Sequence, residues 1–251
     1  MISVCIATHN GDKYIKEQVD SILCQLSHSD EVIVSDDGST DNTLAILMSY
    51  NDPRIKIHMF THHRKYNYRM DYSTHNFENA LTKAKGDVIF LADQDDVWMP
   101  NKVDRVMSNI SDCDILFHGR IVVDSSLFTL QDFAMPRPGF FTNFVSCTTT
   151  GCCCAFKRRI LNEILPFPES GVGHDFWIGV YGGLFFKCKF LQEPLILFRR
   201  HDNNVTPSNL KSSNPISMRL KYRFITLIEV AKRLLKSLIF NKTFRNRVAI
   251  L

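Results

Sequence analysis

Long apolar runs are the first thing this chain lacks. Across its 251 residues no uninterrupted stretch reaches the ~18 apolar residues that mark a membrane-spanning helix. The N-terminus, Met1 to Thr8, has no basic start and no small-residue cleavage site; it reads as a first strand, and a cytoplasmic location is expected. Eight cysteines are present, but no Cys-x-x-Cys pair has a matching second half, which argues against structural zinc. Without an export signal, Cys152-Cys153-Cys154 and the other five read as reduced core thiols rather than disulfides. Neither Gly-x-Gly-x-x-Gly nor a P-loop pattern occurs, so neither a dinucleotide fold nor a P-loop is supported. Repeats and low-complexity segments are also missing, and no nucleic-acid partner is expected.

What is present is the composition of a folded globule, 45% hydrophobic and 22% charged, long enough to bury a substantial core. The net charge of +4 hides an asymmetry. From Lys211 to Leu251 there are ten Lys/Arg against one acid, Glu229, while the remainder is mildly acidic. The expected layout is therefore a globular unit over residues 1–207 with a basic appendage at 208–251, the globule divided into halves at 1–124 and 125–207.

Apolar periodicity predicts strands over 2–8, 31–35, 55–60 and 88–92, alternating with helices over 13–26, 43–50 and 77–85. That alternation implies a doubly wound, largely parallel sheet with ligands at the carboxyl ends of its strands. Farther on, 125–143 reads as a loop over the site, 150–156 as a buried strand and 158–164 as a short helix, and the segment 193–198 precedes Arg199-Arg200-His201.

The chemistry sits at the strand ends. Thr8 and Asn10 follow the first strand, Asp36 and Asp37 the second, and Asp93-Gln94-Asp95-Asp96 the fourth. Three carboxylates in four residues repel one another and call for a cation; hard oxygen ligands suit Mg²⁺ or Mn²⁺ shared with a diphosphate. A carboxylate at the second strand end can accept hydrogen bonds from a base or ribose, so the division fits a nucleoside-diphosphate ligand. The competing readings are a solvated acidic turn before the helix near Pro100, and an Asx-type turn with an N-cap at Asp36 to Thr40.

Ile6-Ala7-Thr8-His9-Asn10-Gly11, Val34 to Thr43 (Val-Ser-Asp-Asp-Gly-Ser-Thr-Asp-Asn-Thr) and Leu91-Ala92-Asp93-Gln94-Asp95-Asp96-Val97-Trp98 stand in the order and spacing of family 2 glycosyltransferases. The chain resembles that family over about residues 1–207, in the branch that builds bacterial surface polysaccharide such as O-antigen. The resemblance implies a GT-A fold (a Rossmann-like, doubly wound mixed sheet) and a metal-dependent inverting hexosyltransferase. It implies a UDP- or dTDP-sugar donor and a lipid-linked, polyprenyl diphosphate oligosaccharide as acceptor. It places Asp37 on the uracil or thymine, Asp93 on the ribose or the metal shell, and Asp95 on Mn²⁺ or Mg²⁺. Gly173-His174-Asp175-Phe176-Trp177 matches the segment that carries the catalytic base, Asp175, and Trp177 and Trp98 become candidates for an acceptor platform. The plain alternative for Asp175 is an N-cap. Arg199-Arg200-His201-Asp202-Asn203-Asn204 resembles the Arg-x-His-x-x-Asn segment of this branch, with His201 as a further metal ligand and Arg199 or Arg200 on phosphate; a structural His201 is the alternative. The stretch His62 to Arg69 departs from the family's Asn-x-Gly, leaving Arg69 or Lys65 as donor contacts. The Gln-x-x-Arg-Trp signature of processive synthases is absent, so single-sugar addition is expected. A sugar-phosphate nucleotidyltransferase and a silent nucleotide-sugar-binding scaffold are the other classes, opposed by the missing Gly-rich basic loop and by the intact acidic cluster.

In the tail, Phe224, Leu227, Ile228, Ala231, Leu234, Leu235 and Leu238 share one helical face with basic residues around it. A basic amphipathic helix suits the anionic inner face of the cell membrane, which would make the protein peripheral there; a helix docked on the globule is the alternative.

Overall fold

The structure, a computed structural model, describes residues 1–134, 140–146, 148–202, 204 and 216–240. Its centre is β1 (Ile2–Thr8), buried along nearly its whole length and paired in parallel with β2 (Glu31–Asp36) on one side and β4 (Val88–Asp93) on the other. A strand buried on both faces has no polar side to show, which is why these segments are nearly continuous apolar runs. Helices α1 (Ile15–Leu23), α2 (Thr43–Ser49) and α3 (Arg69–Lys83) make the crossovers, and β3 (Ile55–Met59) extends the sheet beyond β2.

Beyond β4 the sheet becomes mixed. β5 (Val97–Trp98) and helix α4 (Lys102–Met107) lead into β6 (Ile115–Val123). β7 (Thr129–Ala134), α5 (Phe140–Ser146), β8 (Cys154–Lys157), α6 (Leu161–Ile164), α7 (His174–Phe185), β9 (Cys188–Arg199) and α8 (Ile216–Phe240) follow. The strand order is β3-β2-β1-β4-β8-β6-β9-β5, with β7 on β6; β8 runs antiparallel to both its neighbours, while β6 and β9 are parallel. Both expected halves therefore build one sheet. Alternate residues of β1 and β4 feed two cores: Val4, Ile6 and Phe90 face α1, and Cys5, Ile89 and Leu91 face α3 and α7. The seven described cysteines are unpaired, and five are buried.

Several elements differ from the sequence expectation. α3 starts eight residues before Phe77, because its first turn is held by distant chain: buried Asp71 accepts hydrogen bonds from Ser170 Oγ (2.6 Å) and Gly171 N (2.8 Å). The segment expected as a loop over the site contains β7 and the start of α5. Its hairpin turn is closed by Asp124 Oδ1, which accepts from Ser126 N and Phe128 N, with Leu127 in the left-handed region. β5 and β6 had no counterpart in the periodicity.

α8 resolves into two faces. Thr226 and Val230 are buried, Tyr222, Ile225 and Leu234 pack on the α7 side of the core, and the Arg223 and Arg233 guanidiniums donate to backbone carbonyls of Phe144, Val145, Glu163 and Pro166. The helix is thus docked, but with a different stripe from the one expected to be apolar and outward. Of that expected stripe only Leu234 joins the docked side; Phe224, Leu227, Ile228, Ala231 and Leu235 point outward, and the side chain of Leu238 lies outside the described residues.

Candidate donor and metal site

Register brings the site together. Thr8 at the end of β1 pairs with Asp36 on β2, and Ala7 pairs with Asp93 on β4, so three motifs far apart in sequence open on one edge. Hydrogen bonds then lock the loops. Thr8 Oγ1 donates to Gln94 Oε1 (2.6 Å), which also accepts from His9 N (2.8 Å). Asn10, at φ +48°, donates its N–H to Ser39 Oγ and accepts from Thr40 N (2.8 Å). Gly11 permits this closeness, since a Cβ there would stand 2.6 Å from Gln94 Oε1.

The adjacent aspartates divide the labour. Asp36 is fully buried and accepts from Ser39 N (2.9 Å) and Ser39 Oγ (2.5 Å), the Asx-type turn read from sequence, with Gly38 at φ +65°. Asp37 is turned outward, its Oδ2 2.6 Å from His62 Nε2. The two are not aligned as a hydrogen bond, so both His62 nitrogens are buried and unsatisfied. The ring stands edge-on to Phe60, Tyr66 and Tyr72. Sequence reasoning missed His62 because it lies in the stretch that departs from the family pattern. Arg69 is exposed at the first position of α3.

In the acidic cluster, Asp95 Oδ2 lies 2.9 Å from His201 Nε2 and accepts from Asn204 Nδ2 (2.9 Å). The separation of 106 positions between Asp95 and His201 is closed by β9, and the imidazole is stacked on Tyr14 with ring centroids 4.8 Å apart. A carboxylate facing an imidazole nitrogen, with more carboxylates beside it, is a donor set that fits a divalent ion of the Mn²⁺ or Mg²⁺ class. Burial, then the neighbouring Asp95 carboxylate and in part Asp175, push Asp93 up to about 7. Asp96 is wholly buried and raised well above the usual carboxylate range, first by burial and then by Asp95 and Asp93. Its Oδ1 accepts from Arg199 N (2.9 Å), and its Oδ2 has no partner. Asp93, Asp96 and the Cys152 thiol form a close group of possible ligands. The cluster is thus held together at an electrostatic cost that a bound cation would relieve.

Asp175 occupies the first turn of α7, half-buried, with Oδ1 accepting from Phe176 N (2.7 Å). The N-cap position falls on Gly173 with no side-chain cap, so Asp175 is not the N-cap that the alternative reading held; its charge is also felt at Asp93.

Three expectations are corrected. Trp98 is buried under the Lys102 ammonium and beside Phe90, and Trp177 is fully buried, stacked on Tyr181 with its Nε1 donating to Ile164 O (2.9 Å). Neither indole presents a face to an acceptor. Arg199 is not a phosphate contact: its guanidinium is buried against Tyr14, ion-paired with Glu17, and donates to the carbonyls of Asp95 and Ser125. Arg200 remains near the carboxylates. Burial and the neighbouring Arg120 lower its pKa, while Asp95 and Asp96 oppose that, and both guanidiniums lie over the Phe198 ring. Arg120, on β6, carries no sequence signal of its own.

Residues 3–165 match the profile described as glycosyl transferase family 2. The chain belongs to that family. Among relatives of this glycosyltransferase, the dTDP-rhamnosyl transferase RfbG of Shigella flexneri is 27% identical, covering 89% of this chain and 78% of its own. The UDP-Glc:alpha-D-GlcNAc-diphosphoundecaprenol beta-1,3-glucosyltransferase WfgD of Escherichia coli is 25% identical over 67% of this chain and 64% of its own. An uncharacterized glycosyltransferase of Nostoc sp. is 28% identical, and the chain spans 66% of that protein's length. Among solved structures, Staphylococcus aureus TarS 1–349 with UDP-GlcNAc superposes with TM-score 0.62 at 17% identity, covering 96% of this chain and 74% of its own. The mannosyltransferase PcManGT of Pyrobaculum calidifontis, in complex with GDP-Man and Mn²⁺, gives 0.56 at 15%, covering 96% and 76%. These place the family 2 glycosyltransferase in the GT-A fold and in the company of enzymes that use nucleotide sugars.

Proposed function

We propose that this glycosyltransferase moves one sugar, with inversion, from a UDP- or dTDP-sugar to a lipid-linked glycan during synthesis of a bacterial surface polysaccharide such as O-antigen or capsule. The observation that carries the reading is the meeting of Asp95 with His201 at 2.9 Å, on the sheet edge where Asp37 also stands, with Asp175 of α7 near enough for its charge to reach Asp93. In this reading Asp37 accepts the imide N–H of the base. Thr8 and Asn10 hold the loops that frame the nucleotide, Arg69 and Arg200 face the diphosphate, and Asp93 meets the ribose or the metal shell. Asp93, Asp95 and His201 would hold Mn²⁺ or Mg²⁺, whose chemistry is to neutralise charge developing on the leaving diphosphate. Asp175 takes the proton of the acceptor hydroxyl as its oxygen forms the new bond at the anomeric carbon and the nucleoside diphosphate departs. The wholly buried Asp96 is not positioned for that role, and its partners make it a support for Arg199 and β9.

RfbG, a dTDP-rhamnosyl transferase, and WfgD, a UDP-Glc enzyme with a diphosphoundecaprenol acceptor, support the choice of donor and acceptor classes. A lipid-linked acceptor agrees with peripheral attachment at the inner face of the cell membrane through the basic extension. The test is incubation with a panel of labelled nucleotide sugars and a polyprenyl diphosphate-linked acceptor in the presence of Mn²⁺. UDP or dTDP release with one new glycosidic bond of inverted anomeric configuration is expected. Full turnover in excess chelator, or a retained configuration, would overturn it.

A further inference from the structure

The outward stripe of α8 is the largest surface feature that the transfer chemistry does not use. Ile216, Leu220, Phe224, Leu227, Ile228 and Leu235 are between 39% and 73% exposed. At ~100° per residue they fall in an arc of roughly 120°, and at 1.5 Å per residue the stripe is about 28 Å long. Packing does not explain it, because the opposite stripe already docks the helix. Arg223 Nε donates to Phe144 O (2.7 Å), Arg233 donates to the carbonyls of Glu163 and Pro166, and Tyr222 lies edge-on to Phe176 at 5.0 Å. Rolling the helix to hide the exposed stripe would strip these carbonyls of their donors and turn the packed Tyr222, Ile225 and Val230 out to water, so the stripe is fixed outward. An apolar band of this size kept in water marks a surface meant to be covered.

Charge identifies what covers it. Lys221 and Lys232 border the arc on one side and Arg219 on the other, and the sequence beyond α8 adds Lys242, Arg245 and Arg247 without an acid. The pattern of apolar centre and basic margins matches an anionic lipid surface, with side chains at acyl depth and ammonium groups at phosphate depth. No helix among the described residues is long and apolar enough to cross a membrane, so α8 would lie along the surface. Val145 on α5, 59% exposed and adjacent through the Arg223 bridge, extends the same face.

We propose that the outward stripe of α8, with Val145 of α5, is a bilayer-binding face that lays the docked helix in the headgroup layer of an anionic membrane and sets α7 directly above it. Since Tyr222 of α8 touches Phe176, the residue after Asp175, this posture holds the base-bearing helix one layer from the lipid that carries the acceptor. That last step rests on the transferase reading, whereas the bilayer contact itself does not.

The experiment uses the full chain and a Phe224→Asp/Leu227→Asp variant with vesicles of phosphatidylglycerol and phosphatidylcholine, and of phosphatidylcholine alone. Expected are co-sedimentation of the wild type with anionic vesicles at low salt, release at high salt, and a loss of at least about tenfold in binding by the variant, as burial of two large apolar side chains demands. The variant's thermal midpoint should be unchanged, because the docked stripe is intact. A Lys221→Glu/Lys232→Glu variant, which keeps the apolar arc, should lose the preference for anionic over neutral vesicles. Equal binding by wild type and Phe224→Asp/Leu227→Asp, or no binding of the wild type, overturns the inference. So does a concentration-dependent dimer that the variant abolishes, since the stripe would then meet a second copy. Vesicle binding without nucleotide release from any donor would leave the membrane face standing and sink the transferase reading; nucleotide release without vesicle binding would do the reverse.

Discussion

The donor edge and the acceptor wall proposed for this glycosyltransferase are built on opposite plans. At the donor edge, short loops after β1, β2 and β4 place polar side chains within a few residues of rigid, buried strands, and those side chains bond to one another across the loops. At the proposed acceptor wall, α5, α7 and α8 meet through apolar packing and guanidinium-to-carbonyl contacts, and Asp175, the proposed base, stands on the first turn of α7. The difference fits the ligands expected. A nucleoside diphosphate offers a fixed array of hydrogen-bonding groups and charges, which a preformed polar edge can match. An acceptor held by a membrane needs little more from the protein than one base and a fixed approach. Polar chemistry concentrated on one side and packing on the other also explains why removing a charged group should matter in different ways on the two sides.

The sharpest contrast is Asp95. If the donor edge depends on its metal, Asp95→Ala should lower turnover by at least about 1000-fold, the several kcal/mol that a metal contributes to a departing diphosphate. Mn²⁺ binding by calorimetry should vanish with it. Retained Mn²⁺ affinity would move the metal to Asp93, Asp96 and Cys152. On the acceptor wall, Asp175→Asn preserves the bond to Phe176 N but cannot take a proton; turnover should fall about 100-fold with donor affinity unchanged. A loss of donor affinity instead would make Asp175 part of the donor edge.

The paired arginines test whether the donor edge holds its ligand and its own fold by separate groups. Arg199→Ala removes a buried ion-paired side chain and should cost about 3 kcal/mol in chemical denaturation. Arg200→Ala should leave stability nearly unchanged and raise the donor KM. His62→Ala should change donor affinity by roughly tenfold, the scale of one hydrogen bond to a charged or buried partner, and it should do so for UDP and dTDP donors but not for Mn²⁺ alone. Unchanged UDP affinity would mean that the imidazole only lines the aromatic cluster.

The smallest effect is a pH dependence. Asp93 keeps its proton in the folded protein up to about 7, whereas the unfolded chain releases it near 3.8. The folded state therefore holds the extra proton between those values, and metal-free stability should fall as pH rises through that window. Mn²⁺, which favours the ionised carboxylate, should flatten the slope, as should Asp93→Asn. A thermal midpoint shift of about 4 °C is expected, and its absence would mean that Asp93 is solvated.

The fate of individual residues shows what could be read from the chain. Asp36 was legible because its turn needs only the strand end and the neighbouring Gly38 and Ser39, whereas the His62 that stands beside Asp37 comes from a distant loop with no local signal. Trp98 and Trp177 were misread: an aromatic near an acid resembles a sugar platform in sequence, but only packing tells that Trp177 lies over Tyr181 and under Arg233. Arg199 and Arg200 are neighbours of the same type with opposite surroundings, since alternation on β9 turns one into the Glu17 and Tyr14 cage and leaves the other near the carboxylates. The early start of α3 escaped notice because its stabilising partners, Ser170 and Gly171, are about a hundred residues away.

By itself the sequence determined the alternation of strands and helices, the convergence of three polar strand ends and the family, because each depends on residues within a short window: periodicity, turn chemistry and carboxylate spacing. The tertiary structure decided which side chains face the crevice, that His201 meets Asp95 and His62 meets Asp37, and which stripe of α8 docks. Those outcomes depend on pairings across tens to hundreds of residues, where burial and the demand to satisfy every buried polar group select one orientation among several that the local pattern allows equally.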